Sequence, residues 1–377
     1  MSLRKLQLEA FRNIPQLKLA PSTGVNVLLG DNGAGKTSVL ESIAVVGRGR
    51  SFRCKRVAEC IQKENKFFRI LMEIESSQKP AADLFGNDMQ SSAPKIHKLG
   101  YERQRSQWMA RLNGEDVKQL SELAHLLPIT IFEPTTQELI SGAPEVRRRY
   151  LDWGLFHVEP QFLQLWREHD RILKQRNAAL KNNSPDRMIQ ILDQVYVPLA
   201  LKLHELRRQH VEQLREEWKT IVPELSPALV DLDIDIKAGW KAELSLEESL
   251  HKGLAYDRQM GTTRSGAHRD DLKLLLKGSK AQAMLSRGQQ KISALMLILA
   301  QLNLWRDRLD QSPILLLDDL TSELDEAHAQ RTLEWLLSTK LQTWISSVAW
   351  PEPFTEAVKR ESGQMFHVEQ GQVSSML

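Results

Sequence analysis

The eight residues Gly30-Asp31-Asn32-Gly33-Ala34-Gly35-Lys36-Thr37 constrain this chain more than any other stretch. They fit the pattern G-x-x-x-x-G-K-[ST] and stand where one periodicity gives way to another. Before them, Val25-Asn26-Val27-Leu28-Leu29 is a compact apolar run, as in a buried parallel strand. After them, Val39, Leu40 and Ile43 recur on one helical face. A glycine-rich turn between strand and helix points backbone N–H groups inward, at a helix N-terminus whose dipole favours an anion. The segment therefore predicts a phosphate loop. Gly30, Asp31, Asn32, Gly33, Ala34, Gly35, Lys36 and Thr37 are the expected ATP-binding residues. Lys36 would reach the β- and γ-phosphates, and the Thr37 hydroxyl would hold Mg²⁺.

A second apolar run, Ile314-Leu315-Leu316-Leu317, ends in Asp318-Asp319. Carboxylates at the carboxyl end of a parallel strand lie where ligands bind in open α/β sheets. Asp318 is the expected Mg²⁺ ligand, and Asp319 is placed to polarise an attacking water.

Composition sets the limits. The 377 residues suggest two or three structural units. Hydrophobic residues are 41% and charged residues 26%, as in ordinary globular proteins. Lys and Arg total 51 against 48 Asp and Glu, so any nucleic-acid surface must come from local clustering. A run of apolar residues long enough to span a membrane is missing, as is the apolar core of a secretory signal at the start. The expectation is a cytoplasmic protein with no membrane partner. Cys54 and Cys60, the only cysteines, read as reduced thiols, too few for a zinc site or a disulfide framework.

Along the chain, Leu3 to Leu8, Phe67 to Ile74, Ile96 to Tyr101 and Trp108 to Leu112 read as strands of an antiparallel layer, with Asn113-Gly114 as a hairpin turn. Residues 76 to 95 read as a long surface loop. Residues 145 to 222 are helical, and Pro198 should kink or divide the second long helix. Strand candidates return at Leu272 to Leu276 and Thr343 to Val348, with a hairpin at the end of the chain. His268 reads as a structural histidine, and Arg48, Arg50, Arg53, Lys55 and Arg56 as a basic loop, solvated or phosphate-contacting.

Leu285-Ser286-Arg287-Gly288-Gln289-Gln290-Lys291 resembles the signature sequence of ABC-type ATPases, and Ser322-Glu323-Leu324-Asp325 resembles their D-loop. The resemblance implies that Ser286, Gly288, Gln289 and Asp325 act catalytically across a homodimer that closes on ATP. Between Lys36 and Ser286 lie 249 residues, more than in transporter subunits and far fewer than in SMC proteins. A transporter ATPase subunit and an SMC-like DNA tether remain the alternatives.

The chain is most similar in pattern to the RecF family. Phe11-Arg12-Asn13-Ile14 resembles an F-R-N element that lies against the adenine in SMC-type heads, implying Arg12 and Asn13 as nucleotide contacts. Gly49-Arg50-Ser51-Phe52-Arg53, Phe132-x-Pro134, Arg147-Arg148-Arg149-Tyr150-Leu151-Asp152, Leu173 to Leu180 and Gly266 to Leu272 resemble further family segments. The expected fold is an α/β ABC-ATPase head. Lobe I, residues 1–144 with 255–377, would carry the phosphate loop and the antiparallel β layer. Lobe II, the helical insert 145–254, would have the signature 285–291 at its border. The family implies a weak ATPase that acts as an ATP-driven DNA-binding dimer in recombinational repair and replication-fork recovery. It would act on duplex and single-stranded DNA at gaps and, with RecO and RecR, help load RecA. Asp319 stands where transporter ATPases carry Glu, one methylene longer, so slow hydrolysis is expected. Gln137 is a candidate water-positioning residue, and Trp344-Ile345-Ser346-Ser347 is expected to supply a hydroxyl in place of a switch histidine.

Overall fold

The computed structural model describes residues 2–76, 95–309 and 312–376, and the chain forms two compact units. The first comprises residues 1–136 and 305–377, the second residues 137–304. Residues 255–304, expected with the first unit, fall in the second. The reason is strand pairing: Asp271–Leu276 lies antiparallel to Leu232–Lys237, an alternating Leu-Asp-Ile-Asp-Ile-Lys strand inside the insert.

Among the described residues, the first unit holds two six-stranded sheets. One has the spatial order Gln372–Ser375, Gln364–Glu369, Val25–Leu29, Thr343–Ser347, Ile314–Leu317, Ile129–Phe132. All neighbours are parallel except the terminal hairpin. Val25 to Leu28 and Ile314 to Leu317 are buried, as strands covered on both faces must be. Because these strands run the same way, Gly30, Glu133 and Asp318 all leave the same edge of the sheet. The other sheet is antiparallel, in the order Ile14–Leu19, Ser2–Phe11, Phe67–Ser76, Lys95–Gln104, Trp108–Leu112, Glu115–Asp116. It alternates cleanly: Phe68, Ile70, Met72 and Ile74 face inward. Asn113 and Gly114 take φ of 53° and 93°, the expected hairpin turn. The helix Lys36–Arg48 contributes Val39, Leu40, Ile43 and Val46 to the same core. Gln342 joins the sheets by accepting from Leu3 N at 2.7 Å and donating to Leu3 O at 2.8 Å. The expected loop over 76 to 95 falls mostly on residues 77–94, outside the described residues.

The second unit carries the helices Pro144–Val158, Phe162–Lys181, Asp186–Leu225 and Leu246–Met260 and most of Arg287–Arg308. Asp186–Leu225 runs unbroken for 40 residues, so Pro198 does not divide it. One proline removes one N–H donor, and buried Tyr196, Val197, Ala200 and Leu203 hold the helix on either side. A three-stranded antiparallel sheet, Ser279–Lys280, Asp271–Leu276, Leu232–Lys237, completes this unit, which is therefore not purely helical. Among the described residues no helix is long and apolar enough to cross a membrane.

Candidate functional site

The phosphate-loop segment leaves the central strand at Gly30, whose φ is +152°. A Cβ there would sit 2.0 Å from the Val368 carbonyl oxygen, so no larger residue fits. Gly33 and Gly35 also take positive φ, and Gly35 opens the helix Lys36–Arg48. Ala34 N donates to Asp31 O at 3.2 Å, and Gly371 N to Ala34 O at 2.8 Å. Asp31 and Asn32 are exposed.

Lys36 turns back over the loop and donates to the carbonyls of Gly30 at 2.7 Å and Asp31 at 2.9 Å. Burial lowers its pKa, opposed by the charges of Asp319, Asp318 and Asp31. Thr37 Oγ1 donates to Asp318 Oδ1 at 2.8 Å, closing a sequence separation of 281. The same oxygen accepts from Ser346 Oγ at 2.7 Å. Burial raises the Asp318 pKa, while these two hydroxyls lower it. Asp319 sits in the left-handed region, φ 59° and ψ 49°, with its N–H on Ser346 Oγ at 2.9 Å and its carboxylate on Ser322 Oγ at 2.8 Å. Of the stretch 344–347, Ser346 is the residue whose hydroxyl bonds both aspartates.

Asn13 braces the loop: its amide donates to Gly33 O at 3.1 Å and accepts from Ser38 Oγ at 2.9 Å. Arg12 forks onto Glu41, with Nε to Oε2 at 2.9 Å and Nη2 to Oε1 at 2.6 Å. Burial opposes the Arg12 charge, but Glu41 overcomes it and raises the pKa; Glu41 is lowered in return by Arg12 and Ser51 against its own burial. Arg12, Asn13, Lys36, Thr37, Asp318 and Asp319 all line one cavity of about 660 Å³, with Asn32, Gly33, Gly35 and Arg53. That volume is in the range of small-molecule sites.

Ser286, Gly288 and Gln289 belong to the second unit, at the start of the helix Arg287–Arg308. Ser286 N donates to Gln289 Oε1 at 2.9 Å and Gln289 N to Ser286 Oγ at 3.3 Å, a reciprocal capping box. Gln137 also lies in the second unit. Asp325, in the first unit, does not line the cavity; it caps the helix Glu326–Thr339 by accepting from His328 N at 2.9 Å. His268 is structural as expected: Nδ1 meets Tyr196 Oη at 3.0 Å and Nε2 meets Thr263 O at 2.9 Å.

Three residues escaped the sequence reading. Glu41 and Ser51 hold Arg12 and the segment 51–54; the available signal was a lone carboxylate within the helix Lys36–Arg48. Glu133, at the end of the strand beside Asp318's, has its pKa raised to about 7 by burial.

The chain matches the family described as RecF/RecN/SMC N terminal domain over residues 2–374. It is 37% identical over 374 residues to the DNA replication and repair protein RecF of Stenotrophomonas maltophilia, covering 99% of each chain. It is likewise 37% identical over 375 residues to RecF of Shewanella baltica, again covering 99% of each. Among solved structures, the recombination mediator protein RecF with ATP, in the RecFOR pathway, superposes with a TM-score of 0.82 at 24% identity, covering 100% of this chain and 98% of that one. An SMC head bound to the C-winged helix domain of ScpA gives a TM-score of 0.59 at 15% identity, covering 100% and 98%. The fold is thus the ABC-ATPase head of these proteins, and the chain belongs to the RecF family of DNA replication and repair proteins.

Proposed function

We propose that this chain is a weak ATPase whose ATP-bound dimer binds DNA at single-strand gaps and, with RecO and RecR, helps place RecA on single-stranded DNA. One observation carries the nucleotide part: Lys36, Thr37 and Asp318 converge on one cavity lined by an open glycine loop. The donor set suits Mg²⁺, because Thr37 and Asp318 present a hydroxyl and a carboxylate, both hard oxygen donors. Those two residues would hold the ion, which when bound neutralises charge building on the phosphates.

The rest is work for the chain's own groups. The loop N–H groups and Lys36 bind the β- and γ-phosphates, with Lys36 exchanging two carbonyl partners for phosphate oxygens. Asn13 and Arg12 hold the nucleotide's edge of the cavity. Asp319, aimed by Ser322, accepts the proton of the attacking water; its short side chain keeps hydrolysis slow. The capped helix start at Ser286 offers N–H groups and a positive dipole end to the γ-phosphate held by a second copy. ATP then favours the dimer because it adds contacts that ADP lacks.

The test is DNA binding measured with ATP, ADP and no nucleotide on duplex, single-stranded and gapped DNA. Binding should rise with ATP, prefer gapped DNA and fall as salt rises. Equal affinity under all three nucleotide conditions would refute coupling. In parallel, Ser286→Arg should still bind ATP but stay monomeric by sedimentation; normal dimerisation would remove the contact between copies.

A further inference from the structure

The two cysteines, six residues apart, meet beside the candidate nucleotide cavity. Cys54 Sγ and Cys60 Sγ are 3.9 Å apart. We propose that Cys54 and Cys60 form an oxidation-sensitive dithiol, closed to a disulfide by small-molecule disulfides such as glutathione disulfide, and that closure weakens nucleotide binding.

The geometry makes one sulfur mobile and the other fixed. Cys60 is fully buried at the end of the short helical turn Val57–Cys60, and its carbonyl accepts from Arg12 N at 2.7 Å. Cys54 is half-buried in a segment without regular structure. A disulfide holds its sulfurs at about 2.05 Å, so Cys54 must move inward by roughly 2 Å. Cys54 Sγ now accepts from Arg12 Nη2 at 3.2 Å. The Cys54 and Arg53 N–H groups both donate to Ser51 Oγ, at 3.0 and 2.9 Å, and Ser51 donates to Glu41. Glu41 in turn holds Arg12 and, at 3.5 Å, Arg53. Moving Cys54 therefore displaces the two arginines that line the cavity.

The step balances. The Cys54 thiolate attacks one sulfur of glutathione disulfide and releases one glutathione thiolate. The Cys60 sulfur then attacks Cys54 Sγ and releases the second. The two protein thiols lose two electrons, the oxidant gains them, and the two thiol protons end on two glutathione thiols. The Cys60 proton leaves past Glu41 Oε1, which it faces at 3.4 Å. Cys54 is half-buried and Cys60 fully buried, so the oxidant reaches Cys54 first; burial and Glu41 also push the Cys60 thiol above its ordinary range. The donor atoms of Glu41, Cys54 and Cys60 lie within 4.8 Å of one another, close enough for a metal ion. Glu41, with a single negative charge, already faces two guanidinium groups, however, and a further cation would be repelled there.

The full chain, reduced and then treated with glutathione disulfide, answers this by intact mass, thiol titration and ATP titration. The expected product has lost two hydrogens, links the peptides of Cys54 and Cys60, and binds ATP about tenfold more weakly until dithiothreitol restores it. Cys54→Ser should lose all response to the oxidant. Glutathione retained on Cys54, or two thiols that persist, would overturn the dithiol. A bridged protein that binds ATP as the reduced one does would overturn the coupling. The ATP arm rests on the nucleotide reading, whereas the mass result does not. Reduced protein that fails to bind ATP would sink the nucleotide reading alone.

Discussion

In the second unit, Arg207 is 2% exposed and nearly every donor it has is used. It forks onto Asp152 at 2.8 and 3.0 Å, and reaches Ala267 O at 2.6 Å and Asp270 at 3.2 Å. Arg176 is engaged in the same way by Asp193, Asp257 and Thr263, and Arg147 by Asp271. In the first unit, Lys36 is also mostly buried but spends its donors on two loop carbonyls at the wall of an open cavity. The first arrangement is complete without a ligand, while the second holds its charge beside space. Buried charge is structural where its partners are fixed side chains, and is ligand-directed where its partners can be exchanged.

Truncation separates the two kinds. Arg207→Ala leaves Asp152 and Asp270 without their cation and should cost about 3–5 kcal/mol of stability. Urea unfolding followed by circular dichroism measures it, and a loss under about 1 kcal/mol would break the comparison. Lys36→Ala should do the reverse. Its unfolding free energy should stay within about 1 kcal/mol of the parent, while ATP binding weakens by about 3 kcal/mol, roughly a hundredfold. Calorimetric ATP titration checks the second part, and retention of parental affinity would show the charge to be structural too.

The same contrast explains what could be read beforehand. Gly30 to Thr37 and Asp318-Asp319 were legible because each is a contiguous motif whose chemistry is local to its own turn. The family segments around Arg147, Arg176 and Asp270 were legible as a pattern, but their work was not. The fold joins Arg147 to Asp271 and Arg207 to Asp270, pairings between distant stretches that no spacing reveals. The pairing of Glu41 with Arg12 was hidden for the same reason. The strand Leu232–Lys237 and the helix Leu246–Met260 did carry local signals: strict alternation, and a Ser245-x-x-Glu248 capping box, with bonds of 3.1 and 2.9 Å. That strand sets the second border of the insert, because it draws 271–276 into the second unit.

Single buried groups in the two units should also respond oppositely to acid. Glu133, in the first, has its pKa raised from 4.5 to about 7, so the folded state holds a proton that the unfolded state has lost. Its stabilisation is full below about pH 4.5 and disappears as pH rises through about 7. His169 and His268, in the second, are lowered from 6.5 to about 4 by burial. Their contribution is full above about pH 6.5 and is lost as pH falls toward 4. Relative to the parent, Glu133→Gln should gain about 2 kcal/mol between pH 4.5 and 7, and His169→Leu should gain a similar amount as pH falls from 6.5 to 4. Melting across that range checks both, and parallel curves for parent and variants would remove the opposition.

The smallest effect sharpens the comparison at its boundary. Asp325 is charged and belongs to the first unit, yet 65% of its side chain is exposed. It accepts from His328 N at 2.9 Å as a helix cap, and His328 Nδ1 lies 2.6 Å from its other oxygen. By the rule drawn from Lys36, a carboxylate beside open solvent is available to a second copy; by its bonds, it is only a cap. Asp325→Ala should cost about 1 kcal/mol of stability, and Asp325→Ser, which keeps an accepting oxygen, only a few tenths. ATPase activity should fall to the same extent in both if the carboxylate acts across the dimer. If Asp325→Ser keeps parental activity while Asp325→Ala loses it, capping is all that Asp325 does. The exchangeable-partner rule would then apply only to groups lining the cavity.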